Sequence, residues 1–465
     1  MQVHRFRASK IHGYLDFDIS FQKDLTFLTG INGSGKTSVI QSIIALITPS
    51  FSVLTNLEFQ QIEVEISHEG KKIKLRAIRK DGATFLSSSE VQQEIAIHPF
   101  VADPDEPAYR SGDKEIDYFR DLTVSFAGHP LMVHINSLPT PMFLDLDRRS
   151  RAIQEFRSPS AVARSRLARR GRNIFAFFLS QSLSLATDLA ESSYRDNLIA
   201  LGRIGEQLRR AFVLDLLQID TSTTNVHWAL ALPTRTELET IQSFRRSMGN
   251  LPGILQIPKA EVEQRLIPSL DALEKYASAL PSGSRLEAIM ENRAKHEEKF
   301  RALIGWSATR PQLAKLVTMV DRVKDYTSQK EQVTEKINRY LNILNGFFKD
   351  SNKEVFFSDD GFLQFTLLES TAPRSMHSLS SGEAQLFVIM THLFFNPFAQ
   401  EGNVFIIDEP ELSLHIQWQE LFVSSVMAAN PNVQFIMATH SPSIILDKIG
   451  NCLDLSIRKM GRKSK

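Results

Sequence analysis

The chain has 465 residues, 42% of them hydrophobic, enough for two or three folded units and too apolar for a disordered chain. Its 54 basic and 53 acidic residues nearly cancel, which removes any global electrostatic argument for a polyanionic partner. The opening Met1-Gln2-Val3-His4-Arg5-Phe6-Arg7 is charged and no run approaches the ~18 apolar residues of a membrane span, so a cytoplasmic protein with no membrane partner is expected. Cys452 is the single cysteine, which excludes a disulfide framework and any thiolate metal site; a bound metal must rely on oxygen ligands.

In chain order, the first thirty residues alternate apolar and polar positions with turns at Gly13 and Lys23-Asp24, predicting short antiparallel strands and then a buried strand, Leu25 to Thr29. Residues 30–37, Gly-Ile-Asn-Gly-Ser-Gly-Lys-Thr, follow it, and the apolar run after Thr37 to Ile47 ends at Pro49 as a buried helix would. Segments 61–67 and 72–79 read as a hairpin turning at Glu69-Gly70. Leu131 to Ile135 and Met142 to Leu146 read as further strands.

Nine arginines between Arg148 and Arg172, with Glu155 the single acid among them, read equally as a solvated helix face or as a patch that contacts phosphate through Arg164, Arg166, Arg169 and Arg170. Asp145-Leu146-Asp147 pairs two carboxylates, but adjacent Arg148-Arg149 favours a structural ion pair over a metal site. From about 150 to 352 strand patterning gives way to helical stretches. Gln312 to Asn345 predicts a long amphipathic helix, whereas Pro252, Pro258, Pro268, Pro281 and Pro311 are expected to cut the preceding segment into short pieces. Strand character returns at Phe362 to Leu368. The expected divisions are 1–150, 151–354 and 355–465.

Residues 30–37 satisfy G-x-x-x-x-G-K-[ST]: glycines 30, 33 and 35 let backbone N–H groups, with those of Asn32 and Ser34, turn toward phosphate oxygens ahead of a helix N-terminus. Lys36 would pair with β- and γ-phosphates and Thr37 would place its hydroxyl on Mg²⁺. The apolar run Val404 to Ile407 ends in Asp408-Glu409, suited to Mg²⁺ coordination and to general-base activation of water. Val433 to Ala438 leads to Thr439-His440, with His440 suited to contact the γ-phosphate. Leu379-Ser380-Ser381-Gly382-Glu383 precedes a helix near Ala384, whose N-terminal amides and serine hydroxyls would face an anion.

The order and wording of these motifs resemble the ABC-type ATPase superfamily, within it the SMC, RecF and OLD-like group. The resemblance rests on residues 24–37 and on Phe405 to His415, and covers 1–150 and about 360–447. It implies an α/β fold, an ABC-type P-loop ATPase head with a mixed central sheet flanked by helices and a large helical insertion. It further implies ATP and Mg²⁺ as cofactors, with ATP between two heads. Ser381 and Gly382 would act in trans, with Ser380 and Glu383 beside the nucleotide. Glu411 to His415 would form the D-loop, and His440 would be the switch histidine. The family's Q-loop glutamine has three candidates, Gln60, Gln61 and Asn136.

A transporter subunit would be a compact head, which the roughly two hundred residues of insert argue against. OLD-like nucleases carry a TOPRIM domain after the switch histidine, and twenty-five residues here are too few for one. An OLD-like ATPase with a helical insert and no nuclease of its own resembles the PtuA family of Septu anti-phage systems. That resemblance implies a homo-oligomer, a separately encoded HNH nuclease partner (PtuB-like) and action on DNA. The alternative is a RecF- or SMC-like DNA-repair ATPase.

Overall fold

The computed structural model describes residues 1–102, 108–145, 174–217, 231–247, 257–280, 297–399 and 402–456, with a few isolated positions between them. Arg164, Arg166, Arg169, Arg170 and Asp147 lie outside the described residues. The chain divides into two compact units, Met1–Ser193 with Arg339–Lys465, and Tyr194–Asn338.

The first unit contains a six-stranded antiparallel sheet in the order β2 (Leu15–Ser20), β1 (Gln2–Ile11), β4 (Gln61–His68), β5 (Lys71–Lys80), β6 (Ala83–Ser88), β7 (Val91–Ile97). The expected hairpin is there: His68 faces Lys71, and Glu69 and Gly70 both take positive φ, the requirement of a tight two-residue turn. A second sheet is parallel, in the order β14 (Cys452–Asp454), β3 (Leu25–Thr29), β13 (Gln434–Ala438), β12 (Val404–Asp408), β8 (Met142–Asp145). Every residue of β12 and β13 is buried, the burial that a parallel sheet covered on both faces imposes and that a continuous apolar run satisfies. Helix α1 (Lys36–Ile47) buries nine of its twelve residues, and α2 (Phe51–Asn56) follows. A three-stranded antiparallel sheet, β11 (Ser370–Ser375), β10 (Leu363–Leu367), β9 (Lys353–Phe357), leads toward residues 379–383.

After α3 (Ala108–Ser125), the segment 131–135, expected as a strand, is instead helix α4 (Pro130–Ser137). His129 caps it by accepting from the Leu131 N–H, Pro130 occupies its first turn, and Leu131, Met132 and Ile135 are buried at helical spacing. A five-residue apolar run does not by itself separate the two periods.

The second unit is helical: α5 (Ile174–Leu217) from Tyr194 onward, α6 (Arg235–Ser247), α7 (Lys259–Ser278) and α8 (Glu297–Phe348) as far as Asn338. The expected long helix is present and longer than its pattern. Two of the prolines do not cut: Pro268 sits inside α7 and Pro311 inside α8. An interior proline costs about 3 kcal/mol, and burial of Leu303, Trp306 and Leu313 around Pro311, each contributing roughly 1.5–3 kcal/mol, outweighs it. Trp306 is fully buried with Nε1 donating to Ala231 O at 3.2 Å, and the buried Arg310 guanidinium is paired with Glu237 at 2.8 Å. Among the described residues no helix is long and apolar enough to cross a membrane.

Candidate functional site

The parallel sheet brings the C-terminal ends of β3, β13 and β12 side by side, the edge at which open α/β sheets bind ligands. Beyond β3 the chain turns through Gly30 (φ 145°), Gly33 (φ 81°) and Gly35 (φ 92°) into α1. Gly35 is required twice over: its φ is left-handed, and a Cβ there would come within 2.7 Å of the Phe17 ring. The Lys36 side chain folds back into the loop, Nζ donating to Gly30 O at 3.1 Å and touching His440 Nε2. Burial pushes this ammonium below the ordinary lysine range, while Glu409, Asp408 and Glu411 pull it upward.

His12, Tyr14, Asn32, Gly33, Gly35, Lys36, Thr37, Ser38, Glu409 and His440 line a cavity of about 250 Å³ at this edge. The residues suit a nucleotide polyphosphate. The first turn of α1 offers backbone N–H groups that lack intrahelical partners, Lys36 supplies a cation, and Ser34 Oγ is buried with no hydrogen-bond partner among the described residues. Thr37 and Asp408 would be the oxygen donors for a Mg²⁺ ion, a hard cation that prefers such ligands.

Asp408 ends β12, 6% exposed, in register with Ala438 on one side and Asp145 on the other. Glu409 adopts φ 50°, ψ 56°, a left-handed conformation that costs a non-glycine residue on the order of 1–3 kcal/mol, and its N–H donates to Ala438 O at 2.9 Å. Glu411 then accepts from Thr439 Oγ1 at 2.8 Å and from the His440 N–H at 2.6 Å, so the carboxylate after Pro410 fixes the histidine. Gln419, in α10 (Ile416–Ala429), donates to Leu414 O at 2.7 Å and accepts from Ser441 Oγ at 2.6 Å, closing the same network from behind. His12 and Tyr14, in the β1–β2 turn, and Gln419 carry no motif. The Gly13 turn was the one sequence signal near the first two.

Ser380 caps α9 (Ser381–Phe395) in a reciprocal capping box with Glu383. Ser380 and Ser381 are exposed. Glu383, expected beside the nucleotide, is turned inward in its own chain: it is 4% exposed, accepts from Lys353 Nζ at 2.8 and 2.6 Å through its two oxygens, and accepts from the Ser380 N–H at 2.8 Å. A carboxylate beside another anion would be repelled; paired with Lys353 it holds the loop. Burial alone would raise this carboxyl, but the Lys353 ammonium, the Ser380 N–H and the Ser351 hydroxyl hold it below the usual carboxylate range. Replacing Lys353 with Met is therefore expected to cost on the order of 3 kcal/mol near neutral pH, where Glu383 would stay buried without its cation. The depressed carboxyl stabilises fully above its unfolded-state value of about 4.3 and loses that contribution as pH falls through the lower folded value. Urea unfolding of wild type and variant should accordingly converge as pH falls below that lowered folded-state value.

None of residues 380–383 lines the phosphate-loop cavity of the same chain, and neither do the three glutamine-loop candidates. Gln60 is exposed beside β1, Gln61 opens β4, and Asn136 is exposed on α4.

Residues 270–447 match a family described as "AAA domain, putative AbiEii toxin, Type IV TA system", and residues 6–126 match an AAA domain family. The "Retron Vc95 probable ATPase" of Vibrio cholerae serotype O1 biovar El Tor is 29% identical over 164 residues, 30% of this chain and 32% of that protein. The chain thus spans about a third of the length of this curated relative. Among solved structures, the Smc head domain of Pyrococcus furiosus with an extended coiled coil, bound to the C-terminal domain of ScpA, aligns over 97% of this chain and 93% of its own at 11% identity and a TM-score of 0.37. The Smc head with a coiled coil and joint from Pyrococcus yayanosii aligns over 97% and 94% at 13% identity and a TM-score of 0.34. The two AAA segments contain all four motifs, and three of these meet at one edge of a parallel sheet. The fold is an α/β P-loop head of mixed sheets and helices that carries both AAA-domain matches, with a large helical region.

Proposed function

We propose that this chain binds and hydrolyses ATP between two copies of its head, and that the nucleotide state controls a separately encoded HNH nuclease acting on DNA in an antiviral defence complex. The observation that carries the shared site is the separation of the exposed Ser380 and Ser381 from the cavity of their own chain, combined with exposed apolar side chains beside the loops: Ile31 is 72% exposed, Leu412 58% and Ile416 65%. Apolar residues at such a rim favour a self-complementary contact with a second copy. Ser381 and Gly382 of one head then cap the nucleotide held by Gly30 to Thr37 of the other.

Bound Mg²⁺ supplies charge neutralisation at the β- and γ-phosphates. The protein's own residues would do the rest: Thr37 and Asp408 would hold the ion, Lys36 would turn from His440 to the phosphates, and Glu409 would accept the proton of the attacking water. His440, fixed through Glu411, contacts the terminal phosphate. The last turns of α8 are suited to carry this state outward. Tyr340 bonds Thr391 of α9 at 2.7 Å, Arg339 donates to Ala428 O of α10 at 2.6 Å, and Phe347 and Phe348 pack on Trp418. The defence setting is supported by a family description that names a toxin of a type IV system and by a retron ATPase as relative. Arg164, Arg166, Arg169 and Arg170 are the proposed DNA contacts.

In a Glu409→Gln background, which would hold ATP, light scattering should show ATP-dependent dimers, and adding Ser381→Arg should leave monomers that still bind ATP. Dimers that persist in the double variant refute capping in trans. Co-purification with the HNH subunit and a DNA cleavage assay with and without ATP test the partner; cleavage indifferent to nucleotide, or no association, refutes that part and favours the repair-type alternative.

A further inference from the structure

Beyond the last residue of either family match, the chain adds β14 in parallel to the outer edge of β3, with Asp454 in register with Thr29. The Leu455 N–H donates to Thr29 O at 2.8 Å, and the next residue, Ser456, places Oγ 3.1 Å from the Ile31 N–H inside the phosphate loop. Asp454 Oδ1 accepts from the Ser456 N–H at 2.8 Å and so orients the serine.

The peptide unit joining Gly30 to Ile31 is consequently held at both edges. Its carbonyl accepts from Lys36 Nζ at 3.1 Å, and its N–H donates to Ser456 Oγ. Gly30, at φ 145°, has no Cβ to restrict rotation of that peptide, and a Cβ built there would lie 2.7 Å from Ser34 Oγ and 3.0 Å from Ser456 Oγ. A loop residue with this freedom populates flipped conformers unless something pins the plane, and each flipped conformer lowers apparent ligand affinity by its share of the population. We propose that Ser456 is a positioning residue of the phosphate loop: its hydroxyl selects the Gly30–Ile31 peptide orientation that accepts a nucleoside triphosphate. The Ile31 N–H precedes the loop positions that turn toward phosphate, so the serine pins the loop without competing for ligand. The inference rests on the reading that this loop binds ATP.

The test compares Ser456→Ala and Ser456→Thr by ATP titration, steady-state ATPase kinetics and thermal unfolding. Ser456→Ala should raise Kd and KM for ATP about five- to tenfold, the worth of one ordinary hydrogen bond, with kcat and Tm essentially unchanged. Ser456→Thr, which keeps the hydroxyl, should retain wild-type affinity. Wild-type Kd in Ser456→Ala, or equal losses in both variants, overturns the proposal. Lys36→Ala separates the two levels: if it too binds ATP like wild type, the nucleotide reading itself has failed, whereas loss in Lys36→Ala alone refutes Ser456.

Discussion

Purified Glu409→Gln protein is expected to bind ATP as wild type does and to lose turnover by roughly a hundred- to ten-thousandfold, the usual contribution of a positioned general base. The amide preserves size and hydrogen-bonding reach but cannot take a proton. The residue is held from both sides: its left-handed backbone is fixed by the 2.9 Å bond to Ala438 O, Pro410 follows, and it lines the cavity together with Lys36 and His440. Phosphate release measured beside equilibrium ATP binding separates the two effects. Undiminished release would remove Glu409 from the role of base.

Lys36→Ala is expected to weaken ATP binding by at least about a hundredfold, because charge-assisted bonds to phosphate contribute about 1.5–3 kcal/mol each. The substitution also leaves Asp408, Glu409 and Glu411 facing an incoming polyanion with no cation between them. Isothermal titration reads the loss directly, and a variant that retains near-wild-type affinity would show that the cavity does not hold the triphosphate.

These expectations follow from motifs that were legible because their chemistry is local. A phosphate loop announces itself through glycine spacing, and β12 and β13 announce themselves through unbroken apolar runs because a doubly covered strand has no polar face. The hairpin at Glu69-Gly70 was legible for the same reason. Pro311 shows the opposite: the local pattern carries only a helix breaker's cost, whereas Leu303, Trp306 and Leu313 offset that cost through contacts distant in sequence. Residues 131–135 are too few to display a period, and the decisive signal, His129-Pro130, lay just outside them. The motif around Glu383 suggests a residue facing the nucleotide, and nothing in it reveals Lys353, thirty positions earlier, as the carboxylate's partner. His12, Tyr14, Gln419 and Ser456 share that limit: each reaches the site through chain pairing rather than through a pattern around itself.

The register of β3 has a further consequence. Leu25 pairs with Phe435, so the strand that feeds the phosphate loop finds both its neighbours about 400 residues later in the chain. Such pairing carries a large loop-closure entropy and high contact order, and domains built this way fold slowly compared with helical segments. During synthesis the helices of 194–338 can fold on local contacts while β3 still waits for β13, β12 and β14. An interrupted chain therefore carries an intact nucleotide motif and no completed sheet to display it. A prematurely released polypeptide is thus expected to carry the glycine loop without the sheet edge at which the cavity forms.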